Sequence, residues 1–590
     1  MNYAFTNENK ISYICLYVSR NNIKRINMRK LLLGIFAAMF IASASFAQQP
    51  NAEEIANKMD KYAQEIIQTW QLPGMAVALS LDNKVILAKG YGVKEITPED
   101  GIGFRGVAKN RDLCSGGVKA IANENGAPIL SNTVFQIGSV SKSFTATVMG
   151  QLVDEGLVKW TDTVKNILPD FQYYDPYVTE NMQLMDVMTH RTGLQGQAGT
   201  YFPNVGYDRD DIYQFLKYVK PVYSFRGAYK YNNSTFIIAE KIIEKLTGKT
   251  WEENVKERVF DKVKMPSSSV NADGFAASVA NVATPHDYSY TTVELGKAQF
   301  PELVKTPVGT KGGIVTLPLY GDEQALCWLT GIGPAGSVNS SVEDMIRYAQ
   351  MHMNNGFIVE ANGDTTRVMS ERAARDLHKG YTITSQADNR TTLYANCWFV
   401  EQNNKYRLYF HTGTTWGFTA LCFFVPEIKA CGIILVNAEA GDRPRYAVMN
   451  RFIDMVIGAQ ETDYNKEYFE KWIAGAEKGW VEKLEKEAKA PEAAKNTISD
   501  KDIVGEYTKD ALFGNAKITK EKDGLYIEIG KMGFKNKLQY INDGIYHFRS
   551  DGHAFPLKFT FDESGKKVNG FIVDFQYKEE DGFGGWTKVK

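Results

Sequence analysis

The chain has 590 residues, of which 44% are hydrophobic and 23% are charged, a composition that is typical of folded globular proteins and excludes a disordered chain. Its 68 basic and 69 acidic residues give a net charge of −1, so no electrostatic attraction to nucleic acid is expected. The length predicts more than one domain, with ample apolar content for a large core.

The first 47 residues have the pattern of a secretory signal peptide. A basic start at Met28 precedes an apolar run from Leu31 to Ile41, and small residues then lead to a cleavage site after Ala47. The apolar run is too short for a comfortable membrane span. We therefore expect a secreted, periplasmic protein with no stable membrane span once residues 1–47 are removed, and either Met1 or Met28 is its start.

Residues 48–460 have strand patterns at both ends and helical patterns between them. An amphipathic helix over residues 51–70 is followed by a β-hairpin from Met75 to Val93. A glycine-rich stretch from Ile96 to Pro128 is interpreted as an inserted loop. Helical patterns then dominate from Ser139 to about Tyr348.

Strand patterns return between Ala395 and Val436, and a helix from about Pro444 to Ile457 closes this region. Strands at both ends of a helical middle predict an α/β (α+β) domain over residues 48–460. We expect one antiparallel sheet, built from both halves of this domain and flanked by helices.

The remaining residues predict a connector and a small β domain. Residues 461–497 are rich in Lys and Glu and carry an aromatic stripe, which predicts a connecting helix and a linker. Residues 498–590 have short strand patterns between turns, which predicts a small all-β barrel or sandwich. The turn signals are Asp523-Gly524, Asp543-Gly544, Asp551-Gly552, Ser564-Gly565 and Asp581-Gly582.

Cysteine and histidine spacing supports neither a disulfide framework nor a metal site. Six cysteines occur without any CxxC pair, and Cys15 lies in the predicted signal peptide. No HExxH sequence and no His/Cys cluster at ligand spacing occurs, so we expect no metal and no cofactor. The other cysteines are interpreted as small buried apolar residues: Cys114, Cys327, Cys397, Cys422 and Cys431.

Ser139 and Lys142 form the first motif that could carry chemistry. They open a predicted helix, and their spacing places the hydroxyl and the amine on one helix face, near the N-terminal N–H groups. A serine hydroxyl becomes a nucleophile when an adjacent base accepts its proton, and a buried lysine can be that base. The spacing alone is a weak signal, because Ser564 and Lys567 repeat it in a predicted hairpin turn.

The second motif is Tyr231, Asn232 and Asn233, just before an apolar helix pattern. A tyrosine near a lysine can share its proton in general acid–base transfer, and Asn233 can hold a substrate amide. Taken alone, this pattern is better explained by a simple helix N-cap of Asn or Ser.

The third motif is His411, Thr412 and Gly413, at the end of a predicted strand. A glycine at that place lets the backbone approach a ligand closely, and the following N–H, that of Thr414, can donate to an oxyanion. Taken alone, these three residues are not specific.

In chain order, the three motifs resemble the active-site signature of the serine β-lactamase and penicillin-binding-protein superfamily, in its class C β-lactamase-related branch. Ser139 to Lys142 is similar to the Ser-x-x-Lys motif, Tyr231 to Asn233 to the Tyr-x-Asn motif, and His411 to Gly413 to the Lys/His-x-Gly motif. The resemblance spans residues 51–458, and Pro334-Ala335-Gly336 is a further similar stretch. The C-terminal residues resemble the lipocalin-like barrel that is appended to some serine hydrolases of this family.

The resemblance implies a β-lactamase/transpeptidase-like fold and a secreted serine hydrolase acting on a peptide, ester or amide. Ser139 would be the acylated nucleophile, with Lys142 and Tyr231 as its proton-transfer partners. The partner would be a small-molecule or peptide substrate, not nucleic acid. The oligomeric state and the role of the barrel stay open.

The resemblance also implies the residues that hold the substrate. Asn233 and the third motif at His411 and Gly413 would position it, and the backbone N–H groups of Ser139 and Thr414 would form the oxyanion hole. β-Lactamases of this branch have lysine where this chain has His411, which is mostly neutral at pH 7. A histidine there is similar to family esterases and D-amino-acid peptidases, so efficient β-lactam hydrolysis is not expected.

Two alternatives to hydrolysis stay open at this point. An acyltransferase would pass the acyl group to a small-molecule hydroxyl or amine, and a non-catalytic β-lactam or peptide sensor would keep only the pocket. The intact Ser139, Lys142 and Tyr231 argue against the sensor. His190 lies in a stretch, Leu184 to Leu194, that is structural in the family, and we predict a packing role for it.

Overall fold

The computed structural model describes most of the chain from Asn51 onward. The predicted signal peptide and most of the predicted inserted loop lie outside the described residues, as do Cys15, Cys114 and Cys327. The described residues are 51–96, 126–196, 198–271, 281–298, 300–319, 328–490, 495–509, 514–531, 533–550, 553–575 and 585–589.

Helices occupy most of the chain between the N-terminal hairpin and the C-terminal barrel. None of them, within the described ranges, is both long and apolar enough to cross a membrane. A 3₁₀ turn, Gly138–Val140, leads directly into the second helix. The helices are α1 (Ala52–Trp70), α2 (Ser141–Asp154), α3 (Val164–Ile167), α4 (Pro176–Asn181), α5 (Leu184–Met188), α6 (Arg209–Phe215), α7 (Phe236–Thr247), α8 (Trp251–Val255), α9 (Asp261–Val263), α10 (Val293–Lys297), α11 (Gly333–Gly336), α12 (Val342–Met353), α13 (Glu371–His378), α14 (Arg443–Ile457), α15 (Tyr464–Lys489) and α16 (Asp500–Ile503).

The strands fall into a large sheet, a barrel and three small sheets. They are β1 (Gly74–Leu81), β2 (Lys84–Gly92), β3 (Phe135–Gln136), β4 (Ser269–Val270), β5 (His286–Thr291), β6 (Gly313–Pro318), β7 (Val338–Ser340), β8 (Phe357–Val359), β9 (Thr365–Arg367), β10 (Thr382–Ala387), β11 (Arg390–Tyr394), β12 (Phe399–Asn403), β13 (Arg407–Thr415), β14 (Phe418–Val425), β15 (Ala430–Val436), β16 (Gly505–Thr508), β17 (Asn515–Glu521), β18 (Gly524–Ile529), β19 (Phe534–Asn542), β20 (Ile545–Ser550), β21 (His553–Phe561), β22 (Val568–Val573) and β23 (Trp586–Lys588).

The large sheet joins the two ends of the first domain. Its eight strands are antiparallel, in the order β10-β11-β12-β13-β14-β15-β1-β2. The N-terminal strand β1 pairs with β15, from Met75 opposite Val436 to Leu81 opposite Ala430. The predicted α/β class, with one antiparallel sheet made from both halves and flanked by helices, is therefore confirmed.

The two faces of this sheet pack against different helices. Met75 and Val77 of β1 share a core with α1 and α14, whereas Ala76 and Ala78 face a core that contains α2 and α12. Because both faces are buried, the central strands appear in the sequence as continuous apolar runs, without polar alternation. The helix α2, which carries Lys142, is thus enclosed by the domain.

Strands also occur where the sequence pattern predicts only helices or loops. The pair β5–β6 and the strands β4 and β7 lie within the predicted helical middle, and β10 and β11 extend the large sheet. The residues of β10 are mostly polar and exposed, so they lack the apolar alternation that marks a half-buried strand. These strands form because they hydrogen-bond to neighbouring strands, and their own residue pattern does not predict them.

The C-terminal strands β16 to β23 form a closed barrel, in which the first and last strands pair through Tyr507 opposite Lys588. Apolar side chains such as Ile518, Ile527 and Phe548 are buried. The predicted barrel is confirmed, while its lipocalin-like character and the domain boundaries stay predictions.

The barrel packs against the segment that precedes α6. The rings of Phe202 and Phe575 have centroids 5.5 Å apart. The Ser550 hydroxyl donates a hydrogen bond to the carbonyl oxygen of Asn204 at 2.7 Å, and Lys531 forms an ion pair with Asp211. These contacts attach the barrel beside the candidate active site.

Three of the predicted buried cysteines lie in the described residues. Cys397, Cys422 and Cys431 are free and buried, as predicted.

Candidate active site

Ser139 lies on the 3₁₀ turn that leads into α2, and Lys142 lies in the first turn of that helix. Their side chains meet as the three-residue spacing predicts, with 3.1 Å between Ser139 Oγ and Lys142 Nζ. Lys142 Nζ also donates to Asn233 Oδ1 at 2.7 Å and to the carbonyl oxygen of Ala335 at 2.9 Å. The first two predicted motifs are therefore in direct contact.

The Lys142 amine is suited to accept a proton. Its side chain is fully buried, and burial lowers its pKa to about 7 from the ordinary value of 10.5. A neutral amine uses its two N–H bonds for Asn233 and Ala335. The remaining lone pair then faces the Ser139 hydroxyl.

Tyr231 covers the same amine. Its ring centroid lies 4.5 Å from Lys142 Nζ. Burial raises the pKa of Tyr231, and the neighbouring Ser139 hydroxyl partly offsets this shift. The phenol is therefore protonated at pH 7, and no described residue holds its hydroxyl in a hydrogen bond of ordinary geometry.

The Tyr231–Asn233 segment is fixed by its own backbone and by His190. The Asn232 N–H donates to His190 Nδ1 at 3.1 Å, and the Asn232 side chain donates to the carbonyl oxygen of Gln195 at 2.9 Å. Asn232 Oδ1 also accepts the N–H of Thr235 at 3.0 Å, which orders the turn before α7. The N-cap residue of α7 is Thr235, and no side chain makes a capping hydrogen bond there, so the simple N-cap interpretation of this motif is wrong.

His190 lies in the core, as predicted. Its ring centroid is 4.4 Å from that of Tyr231, and burial lowers its pKa well below 6.5, so it is neutral. Its ring packs against that of the tyrosine.

Two glycines bring the third motif to the serine. A Cβ at Gly413 would lie 1.9 Å from the carbonyl oxygen of Ile137 and 3.0 Å from the N of Ser139. Gly138 has φ of +53°, and a Cβ there would lie 2.7 Å from the N of Thr414. The backbones of β13 and of the serine turn thus touch, and the two predicted oxyanion-hole N–H groups become neighbours.

His411 is buried and carries no charge. Its Nδ1 lies 2.6 Å from the Thr412 carbonyl oxygen, which can only accept, so Nδ1 carries the proton. Its Nε2 accepts from the Tyr394 hydroxyl at 3.0 Å. Burial and the Lys142 charge lower the pKa of His411 to about 3. The third motif therefore offers no cation to a substrate carboxylate.

Supporting residues lie behind the motifs and carry no local sequence signal of their own. Arg445 is fully buried and donates to the carbonyl oxygen of Gly413 at 3.1 Å, on the same peptide group as the Thr414 N–H. Arg209 packs against Gly333 of α11, where a Cβ would lie 1.9 Å from its Nη2. That contact supports the helix that presents the Ala335 carbonyl to Lys142.

The second Ser-x-x-Lys match lies far from this arrangement. Ser564 lies in the turn between β21 and β22, and its hydroxyl donates to Asp562 Oδ1 at 2.6 Å on an exposed surface. No lysine amine lies within hydrogen-bonding distance of it in the described residues. The structure distinguishes Ser139 from Ser564, which the sequence pattern does not.

A cavity of about 850 Å³ opens beside the serine. Its wall includes Asn233 and Thr414 of the motifs, Trp480 and Lys483 of α15, and Arg549 of the barrel. A second cavity, of about 790 Å³, shares four wall residues with the first: Ser289, Tyr290, Glu439 and Ala476. Within the described ranges, no group of His, Cys, Asp and Glu residues is arranged to hold a metal ion.

Comparisons with known proteins find hydrolases that are similar in sequence to this chain. A hydrolase named unguisins hydrolase ungD′, from Aspergillus campestris (strain IBT 28561), is 24% identical over 465 residues, which cover 75% of this chain and 72% of the relative. The teichoic acid D-alanine hydrolase of Staphylococcus aureus is 26% identical over 211 residues, which cover 35% of this chain and 42% of that protein.

The solved structures confirm the fold. The octameric penicillin-binding protein homologue from Pyrococcus abyssi superposes with a TM-score of 0.51 at 17% identity, covering 88% of this chain and 97% of the homologue. The family model described as Beta-lactamase matches residues 59–452, more than half of the chain. With its three motifs gathered at one serine, the protein belongs to the beta-lactamase family.

Proposed function

We propose that the protein is a serine hydrolase that forms an acyl-enzyme at Ser139. One observation carries the proposal: the hydroxyl of Ser139 lies 3.1 Å from a buried lysine amine with a pKa of about 7. At that pKa, about half of the lysine is a neutral base at pH 7, which suits it to general-base catalysis.

The residues then define the steps. The Ser139 proton moves to Lys142 Nζ as Oγ bonds to the substrate carbonyl carbon, and the carbonyl oxygen becomes an oxyanion between the N–H groups of Ser139 and Thr414. The bond to the leaving group breaks as that group takes a proton from the Lys142–Tyr231 pair. Water then attacks the acyl-enzyme and gives a proton to the same pair. As the bond between Oγ and the acyl carbon breaks, the pair returns that proton to Ser139 Oγ and the acid is released.

The site favours an ester or amide over a β-lactam. Because His411 is neutral, the pocket lacks the fixed cation that the third motif gives β-lactamases. The named activities of the fungal and staphylococcal relatives, both hydrolases, support a hydrolase of the esterase or D-amino-acid peptidase type. On the leader pattern, we propose secretion to the periplasm.

Covalent labelling tests the proposal. Wild-type protein and the Ser564→Ala variant are incubated with a fluorophosphonate probe, and intact mass is measured; each should gain one adduct. Ser139→Ala should gain none, because the activated hydroxyl is gone. An adduct that persists in Ser139→Ala and is lost in Ser564→Ala would overturn the assignment.

A further inference from the structure

A chain of buried polar side chains extends from α2 through α12 to α13, outside the three motifs. Two of its members, Ser143 and Thr147, follow Ser139 by four and eight residues, so the helical repeat places them on nearly the same face as the nucleophile. The other members come from α12 and α13. All five side chains are at most 7% exposed: Ser143, Thr147, Tyr348, His352 and His378.

Hydroxyl groups form the half of the chain that is nearer to the serine. The Ser143 hydroxyl donates to the carbonyl oxygen of Val140, the residue after Ser139, at 2.7 Å. The Tyr348 hydroxyl donates to Ser143 Oγ at 3.0 Å. The Thr147 hydroxyl donates to the carbonyl oxygen of Ser143 at 2.9 Å, and its oxygen lies 3.0 Å from that of Tyr348. These contacts attach the first turns of α2 to α12.

Two histidines form the other half of the chain. His352 Nε2 lies 3.4 Å from Thr147 Oγ1, and His352 Nδ1 lies 3.0 Å from His378 Nε2. Burial lowers the pKa of His352 well below 6.5 and, with the charge of Arg407, lowers that of His378 to about 3, so both rings are neutral at pH 7. Because the Thr147 proton goes to a carbonyl oxygen, Thr147 accepts from His352 Nε2. Nδ1 of the neutral ring then carries no proton and accepts from His378 Nε2.

His352 also contacts the large sheet. Its ring stacks on that of Phe424 in β14, with centroids 5.8 Å apart and ring planes at 19°. The strand β14 pairs with β13, where Thr414 lies opposite Thr419. The two N–H groups assigned to the oxyanion hole come from these two parts of the fold, Ser139 from the start of α2 and Thr414 from the sheet. One buried side chain therefore joins the parts that carry the two donors.

Each donor of the chain, from His378 Nε2 to the Ser143 hydroxyl, meets an acceptor. A fully paired buried network holds the elements that it joins in narrow register, because breaking any link leaves a buried polar group unsatisfied. Apolar packing is not directional, so it would fix the same elements less closely.

We propose that His352 and Thr147 are positioning residues for the oxyanion hole. Their hydrogen bond holds the Ser139 turn at the distance from β13 at which the N–H groups of Ser139 and Thr414 face one oxyanion. The five side chains of the chain line neither cavity, so they act on the rate of the chemical steps and not on substrate binding. This inference rests on the proposed hydrolase activity and adds residues that its three motifs do not contain.

Variants that keep shape and remove the hydrogen bond test the inference. Thr147→Val removes the hydroxyl, and His352→Phe removes both ring nitrogens while keeping a ring to stack on Phe424. Each should lower kcat for p-nitrophenyl propionate, and the rate of fluorophosphonate labelling, about tenfold. This is less than the loss of an oxyanion donor costs, because the donors are displaced and not removed. KM should stay within about twofold of wild type. Because both changes break one contact, the double variant should lose no more than about tenfold.

Conservative variants and a packing variant are the controls. Thr147→Ser keeps the hydroxyl and His352→Gln keeps an N–H donor, so both should retain kcat within about threefold. Val148→Ala removes buried side-chain volume from α2 next to Thr147 but no polar atom, so it should lower stability and leave kcat within about twofold. Urea unfolding identifies the conditions in which each variant is folded. Should His352→Phe not fold, Thr147→Val against Thr147→Ser still decides.

Wild-type kcat and labelling rate in folded Thr147→Val would overturn the positioning role while leaving the hydrolase intact. An equal loss of kcat in Val148→Ala would also overturn it, because loss of packing in α2 would then explain the effect. Absence of both ester hydrolysis and labelling in wild-type protein would instead overturn the proposed hydrolase.

Discussion

Replacing Lys142 with methionine should abolish activity. It should also stabilise the protein relative to wild type, and this gain in unfolding free energy should be larger at neutral pH than at high pH. Methionine keeps the length of the buried side chain and removes its ionisation. In the unfolded chain the amine has its ordinary pKa of 10.5, and in the folded protein burial lowers it to about 7. A difference of that size corresponds to roughly 5 kcal/mol between the two protonation states.

The sign follows from proton linkage. Between these two pKa values the unfolded lysine binds a proton that the folded lysine lacks, so wild-type stability rises with pH. The cost of burying the amine is complete below the folded pKa and disappears as pH reaches the unfolded pKa. From about pH 7.5 to pH 9.5, the free energy of unfolding of wild type should rise by roughly 2–3 kcal/mol relative to Lys142→Met.

Urea unfolding of both proteins across this pH range measures the difference directly, because all other titrating groups are common to both. Lys466→Met is the control; its lysine is largely exposed, at 69% of the side chain, and its difference from wild type should not depend on pH in this way. Wild-type kcat/KM should also rise with pH and level off above about 7, as the base form accumulates. A flat stability difference would show that Lys142 stays charged when folded, and the general-base assignment would fail.

Three further outcomes follow from the same site. In steady-state kinetics, Tyr231→Phe and Lys142→Ala should each lower turnover roughly 10²–10⁴-fold. Because the two residues act as one relay, the double variant should lose much less than the product of the two single losses. Gly413→Ala should lower kcat roughly 10²–10³-fold, because the new Cβ would lie 1.9 Å from the Ile137 carbonyl oxygen and would separate the two oxyanion-hole donors. Gly475→Ala is the control, because no atom lies within 4 Å of a Cβ there. Because His411 is neutral, nitrocefin should be turned over far more slowly than short-chain p-nitrophenyl esters, and nitrocefin turnover near the diffusional ceiling would contradict this.

Local sequence pattern predicts those parts of the fold whose burial is regular. The helix Ala52–Trp70 has a buried stripe at helical spacing, and the strand Gly74–Leu81 is an almost continuous apolar run. The structure has both, and the second hairpin strand, within a few residues of the predicted bounds. The exposed strand Thr382–Ala387 has no such pattern, because it gains its order by pairing at a sheet edge. Hydrophobic patterning reflects burial, so it does not predict an exposed strand that forms only through hydrogen bonds to a neighbouring strand.

Some residues of the candidate site are likewise predictable from the sequence, and others are not. Ser139 and Lys142 are predictable because a three-residue helical spacing brings their side chains together without help from the rest of the chain. Arg445 is not, since it acts through the carbonyl oxygen of Gly413, which is distant in sequence. Only the folded chain shows this contact.

The balance of charge at the cleft connects these observations. Lys142 and His411 both have lowered pKa values because burial disfavours their cations, and the Lys142 charge further lowers the pKa of His411. With both near neutral, the motifs offer no fixed cation to a substrate carboxylate. The buried lysine and the histidine of the third motif therefore favour the same class of substrate, an ester or amide whose acyl part carries no carboxylate.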